Sequence, residues 1–99
     1  MIERVILLRC TERSQASVAE VAERILGLLR GLPEVASAAV DRPGDPATQA
    51  EWDLRVTVRF ADEAALATYA EDPVHSAFVA SYLFPRTDAR KAWTFRTGA

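Results

Sequence analysis

Ninety-nine residues with 49% hydrophobic and 26% charged side chains bound the chain to one soluble domain with a single core. Such a length buries roughly two-thirds of the unfolded surface, which leaves no material for a second core. The net charge of -2, with no basic run, excludes a nucleic-acid-binding surface, and no apolar stretch approaches membrane-spanning length.

Residues 2–10 (IERVILLRC) are rich in β-branched and aliphatic side chains and predict a first strand. Its faces, Arg4-Ile6-Leu8-Cys10 and Val5-Leu7-Arg9, are both partly apolar, so the strand is expected to be central and covered on both sides. After a polar connection from Thr11 to Ala16, Ser17 and Glu20 have the spacing of a capping box. Val18, Val21, Ala22, Ile25, Leu28, Leu29 and Leu32 then recur at helical spacing, with Glu20, Glu23, Arg24 and Arg30 on the opposite side. Gly31 and Pro33 stop this helix. Glu34 to Arg42 predicts a second strand of small residues, and Pro43-Gly44-Asp45-Pro46 a loop. From Trp52 to Phe60 the alternation is strict: Trp52, Leu54, Val56, Val58 and Phe60 share the apolar face. Asp62 is suited to cap a further helix carrying Ala65, Leu66, Tyr69 and Ala70. That helix breaks at Asp72-Pro73, where Asp72 caps a new one with Pro73, Val74 and His75 in its first turn. Phe84 to Asp88 reads as a connection, and Lys91 to Arg96 as a short last strand with Trp93 and Phe95 on one side.

The order strand, helix, strand, strand, helix, strand is the split βαβ arrangement of a ferredoxin-like α+β fold. Four antiparallel strands would carry the helices on one face. The core is expected to contain Ile6, Leu8, Ile25, Leu29, Val56, Val58, Leu66 and Phe78. The opposite sheet face would show Val5, Leu7, Trp93 and Phe95, an apolar patch of the kind that marks an interface, here with a second copy of the chain.

Chemistry has few carriers. His75 is the only imidazole. A helix first turn and burial both favour its neutral form, so it reads either as a general base or as a structural residue at a helix corner. Tyr69, six residues earlier, reads either as its partner or as a core tyrosine. Arg4, on the Ile6/Leu8 face, could bind an anion or pair with Glu71 or Asp72. One histidine with scattered carboxylates does not make a metal site, and there is no glycine-rich phosphate loop. No cofactor is expected. The lone Cys10 excludes an internal disulfide and fits a reducing cytoplasm; the first residues show no secretory pattern. Eleven arginines against one lysine, with abundant alanine, suggest the coding bias of a GC-rich bacterial genome.

The chain resembles the stress-responsive A/B barrel (Dabb) family over nearly its whole length. The resemblance rests on the hydrophobic first strand, Leu32-Pro33-Glu34-Val35 and Trp52-Asp53-Leu54. Its most specific part runs from Phe60-Ala61-Asp62-Glu63-Ala64-Ala65-Leu66 through Tyr69 to Asp72-Pro73-Val74-His75 and Phe78-Val79. It implies a homodimer in which two sheets form one α+β barrel with the helices outside. Most family members have no assigned reaction; the plant olivetolic acid cyclase closes a polyketide chain by aldol condensation with a tyrosine and a histidine that match Tyr69 and His75. The chain has Arg4 where the family often has a histidine, and Leu54 where the cyclase has a pocket histidine. The resemblance thus implies a pocket for a small hydrophobic or aromatic molecule, lined by Arg4, Ile6, Leu8, Leu54, Val56 and Phe78. His75 and Tyr69 would promote proton transfer or aldol-type cyclisation of a polyketide-like substrate. The alternatives are a cofactor-free monooxygenase of the related dimeric barrel type, and a ligand-binding or interaction module without chemistry.

Overall fold

The computed structural model describes residues 1–98. Nine residues rich in Val, Ile and Leu form β1 (Ile2–Cys10), which lies between β3 (Leu54–Phe60) and β4 (Thr87–Arg96), with β2 (Ser37–Asp41) on the outer side of β3. All pairings are antiparallel. The order β2-β3-β1-β4 makes β1 and β3 the two inner strands, as expected of a split βαβ sheet. Register decides the faces. Opposite Ile2, Arg4, Ile6 and Leu8 stand Phe60, Val58, Val56 and Leu54. That face is covered by α1 (Gln15–Arg30), whose Val18, Val21, Ile25 and Leu29 form a buried stripe. The core includes Leu8, Leu54, Val56, Val58 and Phe60 beneath this helix.

Several boundaries differ from those read in the sequence. The cap of α1 is Ser14, whose hydroxyl accepts from the Ser17 amide at 3.2 Å; Ser17 lies inside the first turn and is not the cap. The expected loop Pro43-Gly44-Asp45-Pro46 leads into a helix that the sequence reading does not include, α2 (Pro46–Glu51), with Asp45 as cap at 2.7 Å from the Thr48 amide and Pro46 where no amide is needed. Arg13 then donates to the carbonyls of Gln49 and Ala50 at the end of α2, and to the buried carboxylate of Asp53, which also accepts from the Cys10 amide at 2.8 Å. This clamp fixes Trp52 and Asp53 outside the strand, so β3 starts at Leu54.

Helix α3 (Glu63–Glu71) is capped by Asp62, and α4 (Pro73–Phe78) by Asp72, with Pro73 in its first turn. The chain continues without interruption through a π-helical turn, Val79–Leu83, and a last turn α5 (Phe84–Arg86). A wider turn carries an additional residue per hydrogen bond and re-aims the side chains after it. β4 begins directly at Thr87, four residues earlier than its apolar alternation suggests. Ile6, Leu66 and Phe78 are half-buried rather than enclosed. For Ile6 and Phe78 the reason is a cavity that they border.

The other sheet face behaves differently. Arg9, Arg55 and Arg59 are neutralised there by Asp88, Asp41 and Glu3 at 2.7, 3.1 and 2.9 Å. Val5 pairs with Trp93 and Glu3 with Phe95, and the two aromatic side chains are 45% and 53% exposed, leaving an apolar stripe between ion pairs. Among the described residues no helix is long and apolar enough to cross a membrane.

Candidate functional site

A cavity of about 330 Å³ opens between the sheet and the helices, at the small end of ligand pockets. Its floor is Ile6, Leu8, Val56 and Ala92; α1 contributes Ile25, Leu28 and Leu29. The broken helix supplies the remaining wall, with Tyr69 from α3, His75 and Phe78 from α4, and Leu83 and Phe84 beyond the π-helical turn. The break at Asp72-Pro73 is what brings His75 back onto Tyr69. Asp72 ends α3 and begins α4, accepting from the Val74 amide at 2.9 Å, and the two rings lie against each other with centroids 4.0 Å apart and planes tilted by 32°. Phe60 closes the other side of Tyr69 at 4.9 Å.

The two polar rings have opposite protonation tendencies. Burial lowers the His75 imidazolium below its ordinary value; Asp72 opposes this, and the Arg4 guanidinium reinforces it. Its Nδ1 is buried and has no hydrogen-bond partner among the described residues. Burial pushes the Tyr69 phenol up to about 12, against the pull of Arg4. At neutral pH the site therefore holds an imidazole free to accept a proton beside a phenol that keeps its own. A second carboxyl group, Glu34, reaches this corner from the turn after α1. The neighbouring Asp72 carboxyl raises Glu34, and Glu34 in turn lowers Asp72.

Arg4 lines the cavity and donates to the Thr94 hydroxyl at 3.1 Å. It forms no ion pair with Asp72 or Glu71, because neither carboxylate comes within reach, and among the described residues it has no carboxylate partner. Of the six expected lining residues, Arg4, Ile6, Leu8, Val56 and Phe78 border the cavity. Leu54 does not: it is 1% exposed, paired with Leu8 beside the Asp53 clamp, and belongs to the core. Arg90 and Phe84 also line the cavity and had no counterpart in the sequence reading. The signal for Arg90 was its even spacing from Ala92 and Thr94, which places it on the helix side of β4. No group of three or more potential metal ligands occurs among the described residues.

Comparison with known proteins agrees with this architecture. The family profile described as Stress responsive A/B Barrel Domain matches residues 2–92. A Dabb family protein with a ferredoxin-like fold from Mesorhizobium loti superposes with a TM-score of 0.87 at 18% identity, covering 99% of this chain and 97% of the other. The hydroxynitrile lyase from Passiflora edulis gives 0.78 at 14% identity, over 95% and 90% of the two chains. A dimeric ferredoxin-like protein of unknown function from Thermobifida fusca gives 0.74 at 23% identity, over 95% and 88%. No curated protein matches by sequence. With the family profile spanning nearly all of the chain and the same four-stranded sheet beneath it, the protein belongs to the stress-responsive A/B barrel domain family.

Proposed function

We propose that the protein is a cofactor-independent acid/base catalyst acting on a small, largely apolar carbonyl compound, with His75 as base and Tyr69 and Arg4 as oxyanion stabilisers. The observation that carries this reading is the tilted ring pair at 4.0 Å inside an apolar cavity, one ring shedding its proton and the other retaining it. His75 removes a proton from the carbon next to a carbonyl, and the electron pair moves onto the carbonyl oxygen. The Tyr69 hydroxyl and the Arg4 guanidinium stabilise that oxygen as charge develops. The carbanion then takes back the proton from His75, or attacks a second carbonyl carbon of the same molecule, whose oxygen receives that proton as the ring closes, as in aldol-type cyclisation of a polyketide-like chain. A hydroxynitrile lyase among the structural neighbours is in keeping with lyase chemistry on this fold.

The working unit in this reading is a cytoplasmic homodimer joined through Val5, Leu7, Trp93 and Phe95, with the cavities on the outer, helix-covered sides. Dimeric structural neighbours and the exposed aromatic pair support it.

Deuterium uptake tests the chemistry without knowledge of the natural substrate. A panel of linear 1,3-dicarbonyl compounds in D2O should exchange their central protons faster with the protein than with buffer. His75→Ala should abolish the excess, and Tyr69→Phe should reduce it by about 10²–10³-fold, the usual worth of an oxyanion donor. Exchange that is unchanged in His75→Ala removes the catalytic reading.

A further inference from the structure

The cavity has a cation at each end. Arg4 stands opposite Thr94 on the β1–β4 ladder, and Arg90 stands opposite Leu8. Both positions lie on the helix side, so the two arginines are four residues apart along adjacent strands, about 13 Å at strand rise. Between them the floor is apolar: Ile6, Leu8 and Ala92. Neither guanidinium has a carboxylate partner among the described residues; Arg24, Arg30, Arg42 and Arg86 are also without one, but none of those four lines the cavity. Arg90 is instead placed over the Phe84 ring of the cavity wall, its guanidinium carbon 3.6 Å from the ring centroid. That contact tethers the guanidinium, which has no hydrogen-bond acceptor among the described residues and is suited to a forked bond with a carboxylate. Lys91 borders the same end, although strand alternation directs its side chain to the opposite face. Among the described residues no acidic side chain lines the cavity.

We infer that Arg90 is the anion subsite of an elongated ligand, so that the substrate class is a carbonyl compound with an apolar body and a terminal carboxylate. This deepens the proposed function: the carboxylate sits at Arg90, the body on Ile6, Leu8 and Ala92, and the reacting carbonyl reaches Arg4, Tyr69 and His75. The backbone separation of the two arginines favours an elongated ligand over a compact aromatic acid.

Unbranched carboxylates from hexanoate to tetradecanoate serve as probes, with the matching alcohols as neutral controls, in calorimetric titrations of the full chain. Affinity should pass through a maximum at intermediate length. The best carboxylate should exceed its alcohol by about tenfold, the value of one charge-assisted hydrogen bond at a half-open site. Arg90→Gln should erase that preference without changing alcohol binding, and raising the salt should weaken the carboxylate alone. Arg90 is exposed, so the variant is expected to fold, and an unchanged melting temperature verifies it. Equal affinity for carboxylate and alcohol, a preference that survives Arg90→Gln, loss of preference in Arg4→Gln instead, or no saturable binding at any length each overturns the assignment. Because these are binding measurements, they separate from the deuterium assay: the subsite can fail while His75-dependent exchange persists, and the reverse.

Discussion

Replacing Leu29 by alanine tests whether α1 packs on the sheet as described. Leu29 is 3% exposed, the fourth residue of the buried stripe of α1, and forms part of the cavity wall. The change removes three carbon atoms. At about 0.8 kcal/mol per buried methylene the lost transfer energy is about 2.4 kcal/mol. A sealed core would add the energy of the void left behind, taking the total toward 4–5 kcal/mol. Here the new space joins an existing cavity rather than forming a separate one, so the added cost is small and the total is about 2.5–3.5 kcal/mol. For a domain of this length the melting temperature should fall by roughly 10–25 °C. Urea unfolding followed by circular dichroism measures the free energy directly, with Val58→Ala as comparison, since Val58 is 0% exposed and does not line the cavity. A loss below about 0.5 kcal/mol for Leu29→Ala, the range of surface changes, would show that the face of α1 is assigned wrongly.

Other consequences follow from the same contacts. Sedimentation at micromolar concentration should give twice the chain mass, and Trp93→Glu should return a monomer, because a charge replaces one of the exposed aromatics on the outer sheet face; a parent protein of single mass would refute the barrel dimer. Asp53→Ala should cost about 1–3 kcal/mol by stranding the Cys10 amide and the Arg13 guanidinium, measurable by the same urea titration. Cys10 is 1% exposed, and burial raises its thiol, with Asp53 adding to the effect. Iodoacetamide should therefore leave it unmodified in the folded protein and alkylate it quickly in urea; rapid native labelling would contradict its placement.

How much of this was legible beforehand depends on whether the signal was local. β1, β3 and α1 announce themselves because each buries one face along many residues, and periodicity records burial. Asp72-Pro73 was read correctly as a cap followed by a first-turn proline. Asp45-Pro46 carries the same signal and was read as loop, because Pro43 and Gly44 before it outweighed it and the six residues of α2 bury nothing. The cap of α1 was misplaced by one turn: two serines three apart satisfy the same rule, and the choice depends on where the chain leaves Cys10 and Arg13, a tertiary matter. β4 was half seen. Its apolar side chains begin at Ala92, but backbone pairing to β1 extends it to Thr87 with Cys10 as partner. At the candidate site, Tyr69 and His75 pair from one helix break, whereas Arg4 reads from the sequence as a partner of Glu71 or Asp72 or as an anion site, and it meets neither carboxylate. Its neighbour Thr94 lies ninety residues away along the chain, and only the sheet register brings them together.

The pH dependence of His75 tests burial and function at once. Burial of the ring and the nearby Arg4 lower its pKa, and Asp72 only partly offsets them. The unfolded chain would bind a proton near the ordinary value of about 6.5, and the folded protein only at lower pH. Between those two values the unfolded state holds more protons, so stability rises with pH across that window. The contribution of His75 is thus complete above about 6.5 and is lost as pH falls through the folded value. Activity shares the direction: the base is competent when neutral, so exchange of the dicarbonyl probes should have an acid limb whose midpoint lies below 6.5. Tyr69, pushed up to about 12, should add no alkaline limb in the neutral range, since the phenol stays a donor throughout. Arg4→Gln removes one of the two influences holding the proton off, and should move the acid limb toward higher pH; Asp72→Asn removes the larger of the two opposing ones, the other being the Tyr69 backbone, and should move it lower. The imidazole resonance of the single histidine, followed by NMR titration, gives the midpoint independently of turnover. A midpoint at or above 6.5, or one indifferent to both variants, would mean that the ring is solvated and that neither the cavity nor its charges reach it.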